Sequence, residues 1–289
     1  MSKSVIKVSN KFRQDNCPLC GSSKFKTIGR IKYLEPTYFS SHEVGTEFTS
    51  ELCKCIECDS AFAQNILPEQ LAVSLYSSGI SANRWSQEAF VSQKPQIIID
   101  SLTKYFIKGR AVLDVGSNTG ELLDFAKAKG CVTYGVEYSQ VSREILKEKN
   151  HRAFASMTEV EQKFDVITAF DLIEHLYDVP SFLLECRQHL KDDGVLIILT
   201  GNINSFSAML SQSRWWYVGY PEHIIFPSKK YFIQFSGLLL VEYVHTFVSK
   251  GYQVSWGRRF KALLSGLLKW SYTGLPAIDS DHTLVVLKK

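Results

Sequence analysis

The feature that most constrains the fold is a regular alternation of two patterns that begins at Ala111. Short runs rich in β-branched residues are separated by longer stretches in which apolar residues recur at helical spacing. The predicted strands are AVLDVG, VTYGVE, FDVITAFD, GVLIILT, LLLVEYVHTFV and HTLVVLKK, and the predicted helices are GELLDFAKAKG, SQVSREILKEK and VPSFLLECRQHL. Strands that alternate with helices build a parallel sheet from βαβ units. The sequence therefore predicts an α/β fold with a Rossmann-like sheet that has helices on both faces.

Length and composition indicate more than one structural unit. The chain has 289 residues, of which 45% are hydrophobic and 21% are charged, as is usual for a folded soluble protein. We predict a cysteine-rich module at residues 1–65, a helical linker or cofactor cover at 66–110, and the α/β domain at 111–289 with an insertion near 252–278. The net charge of +4 is too small and too dispersed to predict a nucleic-acid partner.

The N-terminus predicts a cytoplasmic location. The segment MSKSVIKVSNKFRQDN lacks the apolar stretch of a signal peptide, and no later run is long enough to span a bilayer. Thiols stay reduced in the cytoplasm, where clustered cysteines more often bind metal than form disulfides. Contact with the inner face of the membrane is compatible with this location.

Five of the seven cysteines lie within the first 58 residues. Two C-x-x-C pairs, Cys17 with Cys20 and Cys55 with Cys58, supply four thiolates for a tetrahedral Zn²⁺. A segment this small cannot be stabilised by apolar burial alone, so metal binding would contribute folding energy. Four thiolates leave no open coordination position, and the predicted zinc is therefore structural. Cys53 is the surplus thiol and is predicted to be a neighbour of the site.

The segment VLDVGSNTG has the form of a strand followed by a cofactor-binding turn. Gly116 and Gly120 are four residues apart, with Asn118 where a dinucleotide-binding loop has its second glycine. The sixth position is Glu121, and no Gly-Lys-Ser/Thr follows, so neither the dinucleotide pattern nor a Walker loop is matched. Glycines let backbone amides approach a cofactor closely, and asparagine tolerates the left-handed backbone that glycine favours.

An acidic residue follows the next predicted strand at the spacing of a ribose-binding carboxylate. Glu137 lies about 20 residues beyond the turn, the position from which a carboxylate binds a ribose diol. Two charge-assisted hydrogen bonds from the ribose hydroxyls to such a carboxylate would contribute about 1.5–3 kcal/mol each.

In order and spacing, the segments VLDVGSNTG, GVEYS, FDVITAFDLIEHLYD and LKDDGVLIILTGN resemble the motif series of class I S-adenosylmethionine-dependent methyltransferases. The resemblance covers about Ala111 to Asn202 and implies S-adenosylmethionine as the cofactor. It implies the following cofactor contacts: Asp114 and the turn of Gly116, Asn118 and Gly120 for the methionine part, Glu137 for the ribose, Tyr138 for the adenine, and Asp171 and Leu172 for the methyl-donor side. Ser156 and Met157 are the best candidates for a further contact to the adenine.

A second resemblance concerns the methyl acceptor. The segment WWYVGYPEHIIFPS is similar to the Tyr-x-Glu-His segment of bacterial methyltransferases that act on nucleotide-linked sugars and other glycans, which also tend to carry an N-terminal zinc module. It implies that Tyr220, Glu222 and His223 contact the acceptor, with His223 as the general base. His175, in the segment DLIEHL, is a second candidate for a catalytic histidine.

Two departures favour methylation of a sugar hydroxyl over methylation of carbon. Thr119 stands where the sugar C-methyltransferases usually have aspartate, and the chain ends soon after the sheet, where they carry a long C-terminal domain. Sugar C-methylation stays an alternative, as does an RNA methyltransferase with a zinc module. A third alternative is a non-catalytic zinc-ribbon protein with a vestigial cofactor fold. The acids Asp114 and Glu137 argue against that last interpretation.

Residues 257–272 are predicted to form a basic amphipathic helix. One helical face would carry Phe260, Leu263, Leu264, Leu267 and Leu268, and the other positions carry Arg258, Arg259, Lys261 and Lys269. Such a helix either packs on its own fold or on a second subunit, or lies on a membrane surface. Peripheral membrane contact would suit an acceptor glycan that is linked to a lipid.

Overall fold

The computed structural model describes residues 5–31, 37–79, 89–250, 255–268 and 279–289. Residues 80–88 of the predicted linker or cofactor cover, and residues 269–272 of the predicted basic helix, lie outside the described residues.

The N-terminal part of the chain is built from short strands. They are β1 (Ile6–Val8), β2 (Phe12–Arg13), β3 (Phe25–Ile31), β4 (Thr37–Phe39), β5 (His42–Thr46), β6 (Ser50–Cys55), β7 (Ala61–Ala63) and β8 (Asn65–Ile66). Strands β3, β6 and β7 pair in an antiparallel sheet, β1, β4 and β5 form a second small sheet, and β2 pairs with β8. The cysteine side chains carried by and near β6, those of Cys53, Cys55 and Cys58, are all buried.

Helices connect the N-terminal strands to the α/β domain. They are α1 (Glu69–Ser78), α2 (Phe90–Gln93) and α3 (Gln96–Tyr105). Prolines at positions 68 and 95 precede α1 and α3, where the missing amide proton costs no helical hydrogen bond. Helices α1 and α3 lie where the apolar spacing of the sequence predicts helix.

The α/β domain continues the alternation of strands and helices. Its elements are β9 (Ala111–Val115), α4 (Glu121–Ala128), β10 (Val132–Val136), α5 (Gln140–Glu148), β11 (Arg152–Phe154), β12 (Phe164–Phe170), α6 (Val179–His189), β13 (Leu190–Gly201), α7 (Phe206–Ser211), β14 (Ile225–Phe226), α8 (Lys229–Gln234), β15 (Leu239–Thr246), α9 (Trp256–Leu268) and β16 (His282–Lys288). Each strand and helix predicted between residues 111 and 250 is present, as is the strand HTLVVLKK, and the basic helix predicted at 257–272 is described as far as Leu268.

Seven strands form the central sheet, in the order β11-β10-β9-β12-β13-β16-β15. Neighbours from β11 to β13 pair in parallel, whereas β16 is antiparallel to both β13 and β15. The carboxyl ends of the parallel strands therefore meet at one edge of the sheet, where open α/β sheets bind their ligands.

Both faces of the sheet are covered by helices, as the sequence predicts. One face packs against Ile98 and Leu102 of α3 and Leu122 of α4, which are all at most 5% exposed. The other face packs against α6, through Val179 and Leu183. Burial of each such side chain stabilises the fold by about 1.5–3 kcal/mol.

The N-terminal sheet is completed by a strand from the distant C-terminal half of the chain. Strand β14 pairs antiparallel with β7, with Ile225 opposite Phe62 and Phe226 opposite Ala61. One continuous apolar core joins residues of this sheet to residues of the central sheet. The described residues among the first 65 therefore share their core with the α/β domain. Within the part of the chain that the structure describes, no helix has both the length and the apolar character required to cross a bilayer.

Candidate functional site

The turn between β9 and α4 has the backbone that its sequence indicates. Gly116, Asn118 and Gly120 all have positive φ, of 76°, 46° and 87°. A Cβ atom added at Gly116 would lie 3.1 Å from Cδ1 of Leu172, and one added at Gly120 would lie 2.6 Å from a methyl carbon of Leu146. These glycines therefore let the turn pack closely on its neighbours, and Asn118 takes the left-handed conformation that few other residues tolerate.

Glu137 lies beside this turn, directly after β10. Its two carboxylate oxygens each accept one backbone N–H, from Asn118 at 2.9 Å and from Ser139 at 2.9 Å. Burial raises the pKa of Glu137, and these two donors oppose that rise. Each carboxylate oxygen can accept a further hydrogen bond. The carboxylate is thus fixed in place and chemically suited to bind the two hydroxyls of a ribose.

Asp114 lies inside the same edge of the sheet. The side chain is 5% exposed and accepts a hydrogen bond of 2.6 Å from the hydroxyl of Thr168. Burial raises the pKa of Asp114 to about 7. Its charge is therefore sensitive to any cation that approaches the turn.

The candidates for adenine contacts lie at the neighbouring strand ends. Tyr138 is half-exposed, Met157 is buried, and the hydroxyl of Ser156 bonds the hydroxyl of Thr158 at 2.6 Å. Ser156 and Met157 follow β11, whose last residue accepts a hydrogen bond of 3.0 Å from the amide of Glu137. All three side chains therefore belong to the carboxyl edge that carries Glu137.

Asp171 and Leu172 follow β12 at the centre of this edge. Asp171 has a φ of 49°, and its carboxylate lies 3.4 Å from Nζ of Lys94 and 3.4 Å from Nε2 of His282. Burial alone would raise the pKa of Asp171, but the charges of Lys94 and His282 hold it well below its usual range. The side chain of Leu172 packs against Gly116.

A buried carboxylate that the sequence pattern did not predict to be a site residue lies next to these residues. Glu174 is 0% exposed and accepts hydrogen bonds from the hydroxyl of Thr200, at 3.0 Å, and from the hydroxyl of Tyr217. Burial raises the pKa of Glu174, and the nearby His223 opposes the rise. The sequence does contain a signal for Glu174, because it is an acid within the largely apolar segment DLIEHL that follows a buried strand.

His223 lies over Tyr217 and close to His175. The ring centroids are 4.5 Å from Tyr217 and 4.7 Å from His175. Nδ1 of His223 lies 2.6 Å from the backbone carbonyl oxygen of Tyr217. A carbonyl only accepts, so Nδ1 carries the proton of the neutral ring and Nε2 keeps its lone pair. That lone pair is the one a general base needs.

His175 belongs to the same cluster. Its Nδ1 lies 3.0 Å from the backbone carbonyl oxygen of Glu222 and 3.0 Å from the hydroxyl of Tyr76. Glu174, His175 and His223 each bring one possible ligand atom to within 4.8 Å of the others. These three side chains can share a proton or hold a cation.

The side chains of Tyr220 and Glu222 bond the N-terminal strands, and the acceptor contact predicted for them stays a prediction. The hydroxyl of Tyr220 donates to the carbonyl oxygen of Asn65 at 2.8 Å, and the carboxylate of Glu222 accepts the amide of Ser40 at 2.5 Å. Both side chains are at most 9% exposed. They fasten the loop that carries His223 to the N-terminal strands, a contact that the sequence could not reveal because it joins residues more than 150 positions apart.

The four predicted zinc ligands lie together. Sγ of Cys17 is 3.7 Å from Sγ of Cys58, Sγ of Cys20 is 3.5 Å from Sγ of Cys55, and all four sulfurs fall within 4.8 Å of one another. Tetrahedral Zn–S bonds of about 2.3 Å place sulfurs about 3.8 Å apart. The cluster is therefore compatible with a tetrahedral zinc site. Cys53 is buried outside the cluster, with Sγ 3.9 Å from the hydroxyl of Thr27.

Comparisons with known proteins agree with this fold. A 165-residue stretch is 29% identical to the Ubiquinone biosynthesis O-methyltransferase of Coxiella burnetii (strain RSA 493 / Nine Mile phase I), covering 51% of this chain and 67% of that protein. The enzyme of the same name from Bradyrhizobium diazoefficiens is 30% identical over 105 residues, which span 42% of its length and 33% of this chain.

A structural comparison extends over more of the chain. The magnesium protoporphyrin IX methyltransferase of Synechocystis PCC 6803 superposes with a TM-score of 0.52 at 12% identity, covering 77% of this chain and 100% of that one. The sequence profile of the family described as "Methyltransferase domain" matches residues 88–235, about half of the chain. This match includes the glycine turn, Glu137, Glu174 and His223, and the chain belongs to the methyltransferase-domain family.

Proposed function

We propose that this protein transfers a methyl group from S-adenosylmethionine to a hydroxyl of a sugar, carried by a nucleotide sugar or a surface glycan. The observation that carries the proposal is the orientation of His223. Its Nδ1 donates to the carbonyl oxygen of Tyr217, which leaves the lone pair on Nε2, and a ring nitrogen of His223 lies within 4.8 Å of a carboxylate oxygen of the buried Glu174.

The geometry of the carboxyl edge of the sheet supports the cofactor contacts that we propose. S-adenosylmethionine would supply a methyl group on a positively charged sulfur. A nucleophile in line with the carbon–sulfur bond would take the methyl group, and the sulfur would leave. Glu137 would hold the ribose with its remaining acceptor positions, and the turn from Gly116 to Gly120 would contact the methionine part. Asp114 would face the cationic amino group, whose charge favours the carboxylate form of a side chain with a pKa of about 7.

The reaction requires the acceptor hydroxyl to lose its proton. His223 would take that proton on Nε2 as the oxygen–carbon bond forms and the carbon–sulfur bond breaks. The buried Glu174 would stabilise the imidazolium that results, because an acid nearby favours the charged form of histidine. A base of this kind typically contributes about 10²–10⁴-fold to the rate.

We further propose that Cys17, Cys20, Cys55 and Cys58 hold a structural Zn²⁺ and that the protein works in the cytoplasm. The sulfur distances support the metal, since they match a tetrahedral thiolate site. The closed set of four thiolates supports a structural role for it.

A second candidate acceptor is an intermediate of ubiquinone biosynthesis. The relatives named for that pathway support it, since they share 29–30% identity with this chain. The sugar acceptor rests instead on the similarity of the Tyr-x-Glu-His segment and on the cysteine cluster. Both acceptors would lose a hydroxyl proton, so His223 would serve either reaction.

The deciding experiment is a transfer assay with S-adenosylmethionine labelled in the methyl group. Acceptors would be nucleotide sugars, glycan fragments, phenolic precursors of ubiquinone and ribosomal RNA. We expect label in a nucleotide sugar or glycan, with the methyl on oxygen by mass spectrometry and NMR. Label in the phenols or in RNA would replace the proposed acceptor, and a new carbon–carbon bond would assign C-methylation.

Cofactor binding is tested separately by calorimetry. Glu137→Gln removes the charge of the proposed ribose ligand and should weaken S-adenosylmethionine binding by about 10- to 150-fold, the loss of one charge-assisted interaction. Glu144→Gln changes an acid of helix α5 that accepts a hydrogen bond from Gln140 of the same helix, and should leave the affinity unchanged. Equal affinities in wild type and Glu137→Gln would contradict the assignment.

A further inference from the structure

We propose that helix α9 is a docking surface for an anionic lipid bilayer. The inference concerns where the protein sits and does not depend on the acceptor proposed above. It is carried by the exposure, charge and position of the described residues of this helix, Trp256–Leu268.

Helix α9 presents apolar side chains to solvent. Phe260, Leu264 and Leu268 are 43%, 42% and 79% exposed. They recur every four residues, so they lie along one side of the helix. A soluble helix normally turns such a stripe to the core, and a helix that exposes it is suited to lie in the boundary between lipid headgroups and acyl chains.

The charges of the helix determine which surface fits. Arg258 and Lys261 are exposed, and Arg259 is half-buried. The segment from residue 255 to 268 contains no aspartate or glutamate. Basic residues beside an apolar stripe favour a negatively charged lipid surface, to which each contributes about a fivefold gain in affinity.

The position of α9 brings this surface to the functional edge of the protein. The helix follows β15, whose last residue, Thr246, pairs with His282 at the carboxyl edge of the sheet. The guanidinium of Arg259 lies 4.1 Å from the ring centroid of Phe247, which ties α9 to the end of β15. A bilayer contacted by α9 would therefore lie on the side of the protein that carries the candidate site.

A second copy of the chain fits this surface less well. A two-fold contact between two α9 helices would bring the same residues together. Arg258 and Lys261 of one copy would then meet the cations of the other, with no acid on either helix to compensate. An anionic bilayer satisfies both the apolar stripe and the cations.

The test is flotation of the full-length protein with lipid vesicles. We expect it to float with vesicles of phosphatidylcholine mixed with phosphatidylglycerol at low ionic strength, and to bind much less to phosphatidylcholine alone or in high salt. The double variant Leu264→Ser, Leu268→Ser should bind the vesicles at least about tenfold more weakly. The double variant Arg258→Gln, Lys261→Gln should bind about 30-fold more weakly.

Leu184→Ser is the matched control, because Leu184 is a 54% exposed leucine on helix α6. It should float like the wild type, and circular dichroism should show that all variants are folded. Absence of flotation, equal binding to neutral vesicles, or equal flotation of the Leu264→Ser, Leu268→Ser variant would overturn the proposal. Self-association or capture of an acidic protein that these variants abolish, without flotation, would assign the helix to that partner instead.

Discussion

His282 and Asp171 form an ion pair beneath the candidate site, with Nε2 of the imidazole 3.4 Å from a carboxylate oxygen. On its other side His282 donates to Asp281 from Nδ1, at 2.8 Å, and both of these side chains are fully buried. The imidazole edge also packs on the ring of Tyr217, the residue whose hydroxyl bonds Glu174. One buried imidazolium thus joins the strand end at Asp171 to the network around His223.

Replacing this imidazole should destabilise the protein. His282→Gln leaves Asp281 buried without its cationic partner, and we expect the free energy of unfolding to fall by about 3–5 kcal/mol. Chemical denaturation at neutral pH measures this loss. Lys191→Gln breaks an exposed pair with Asp165 and should cost no more than about 1 kcal/mol. A similar loss in the two variants would contradict a structural role for the buried pair.

The same histidine predicts a pH dependence of stability. Burial alone would lower the pKa of His282, but Asp171 and Asp281 raise it from 6.5 to about 9. The folded state therefore binds this proton more tightly than the unfolded state. The stabilisation is fully present below pH 6.5 and is lost as the pH rises through about 9. Denaturation curves should show this decline in the wild type and not in His282→Gln.

The base assignment predicts a selective loss of turnover. We expect His223→Ala to lower kcat by about 10²–10⁴-fold, because no base then receives the proton of the substrate hydroxyl. The dissociation constant for S-adenosylmethionine should stay unchanged. His189→Gln is the control, since His189 ends helix α6 at the opposite edge of the sheet and bonds the carbonyl of Val160. Near-normal turnover of the His223→Ala variant would exclude His223 as the base.

The cysteine cluster predicts one zinc per chain. We expect Cys55→Ser with Cys58→Ser to abolish bound zinc, measured by atomic absorption, and to lower the thermal midpoint, because the metal stabilises the small N-terminal sheets. Treatment of the wild type with a strong chelator should lower the midpoint in the same way. Cys53→Ser changes a neighbouring buried thiol outside the cluster and should keep the full zinc content. Zinc retained by the Cys55→Ser, Cys58→Ser double variant would disprove the site.

The turn predicts a difference between two replacements of Asn118. Because φ is 46° at this position, glycine fits the backbone without strain, whereas alanine would be strained. Asn118→Ala should lose about 1–2 kcal/mol of stability and bind S-adenosylmethionine more weakly, whereas Asn118→Gly should bind nearly as the wild type. Asn150, with a φ of 59°, gives a control beyond the end of α5. Asn150→Ala should lose similar stability and keep its cofactor affinity.

The sequence predicted the parts of this protein that depend on local pattern. The alternation after Ala111 indicated the parallel sheet because each strand and helix is long enough to show its own period. The two C-x-x-C pairs and the glycine turn are likewise short motifs whose geometry is set by neighbours in sequence. The approach of the two pairs to each other joins distant segments, and the sequence indicated it only because a tetrahedral zinc site requires four ligands.

Other contacts between distant segments could not be predicted from the sequence. The roles of Tyr220 and Glu222 depend on Asn65 and Ser40, which only the folded chain brings near. Glu174, Tyr217 and His282 were missed because each is a polar residue whose partners lie on different strands or loops. A buried charge is recognisable only when its partner is known, and pairing of that kind is a property of the tertiary structure.

The pairing of β14 with β7 bears on how proteins of this kind can be recombined. Two residues near the end of the site loop complete a sheet that is otherwise built from the first 63 residues, and Ser228 continues the contact by donating to the carbonyl of Cys58. The cysteine-rich segment therefore cannot be exchanged as a self-contained cassette. A chimera with another N-terminal segment would have to bring a matching partner for residues 225–228, or leave the loop of His223 without its support.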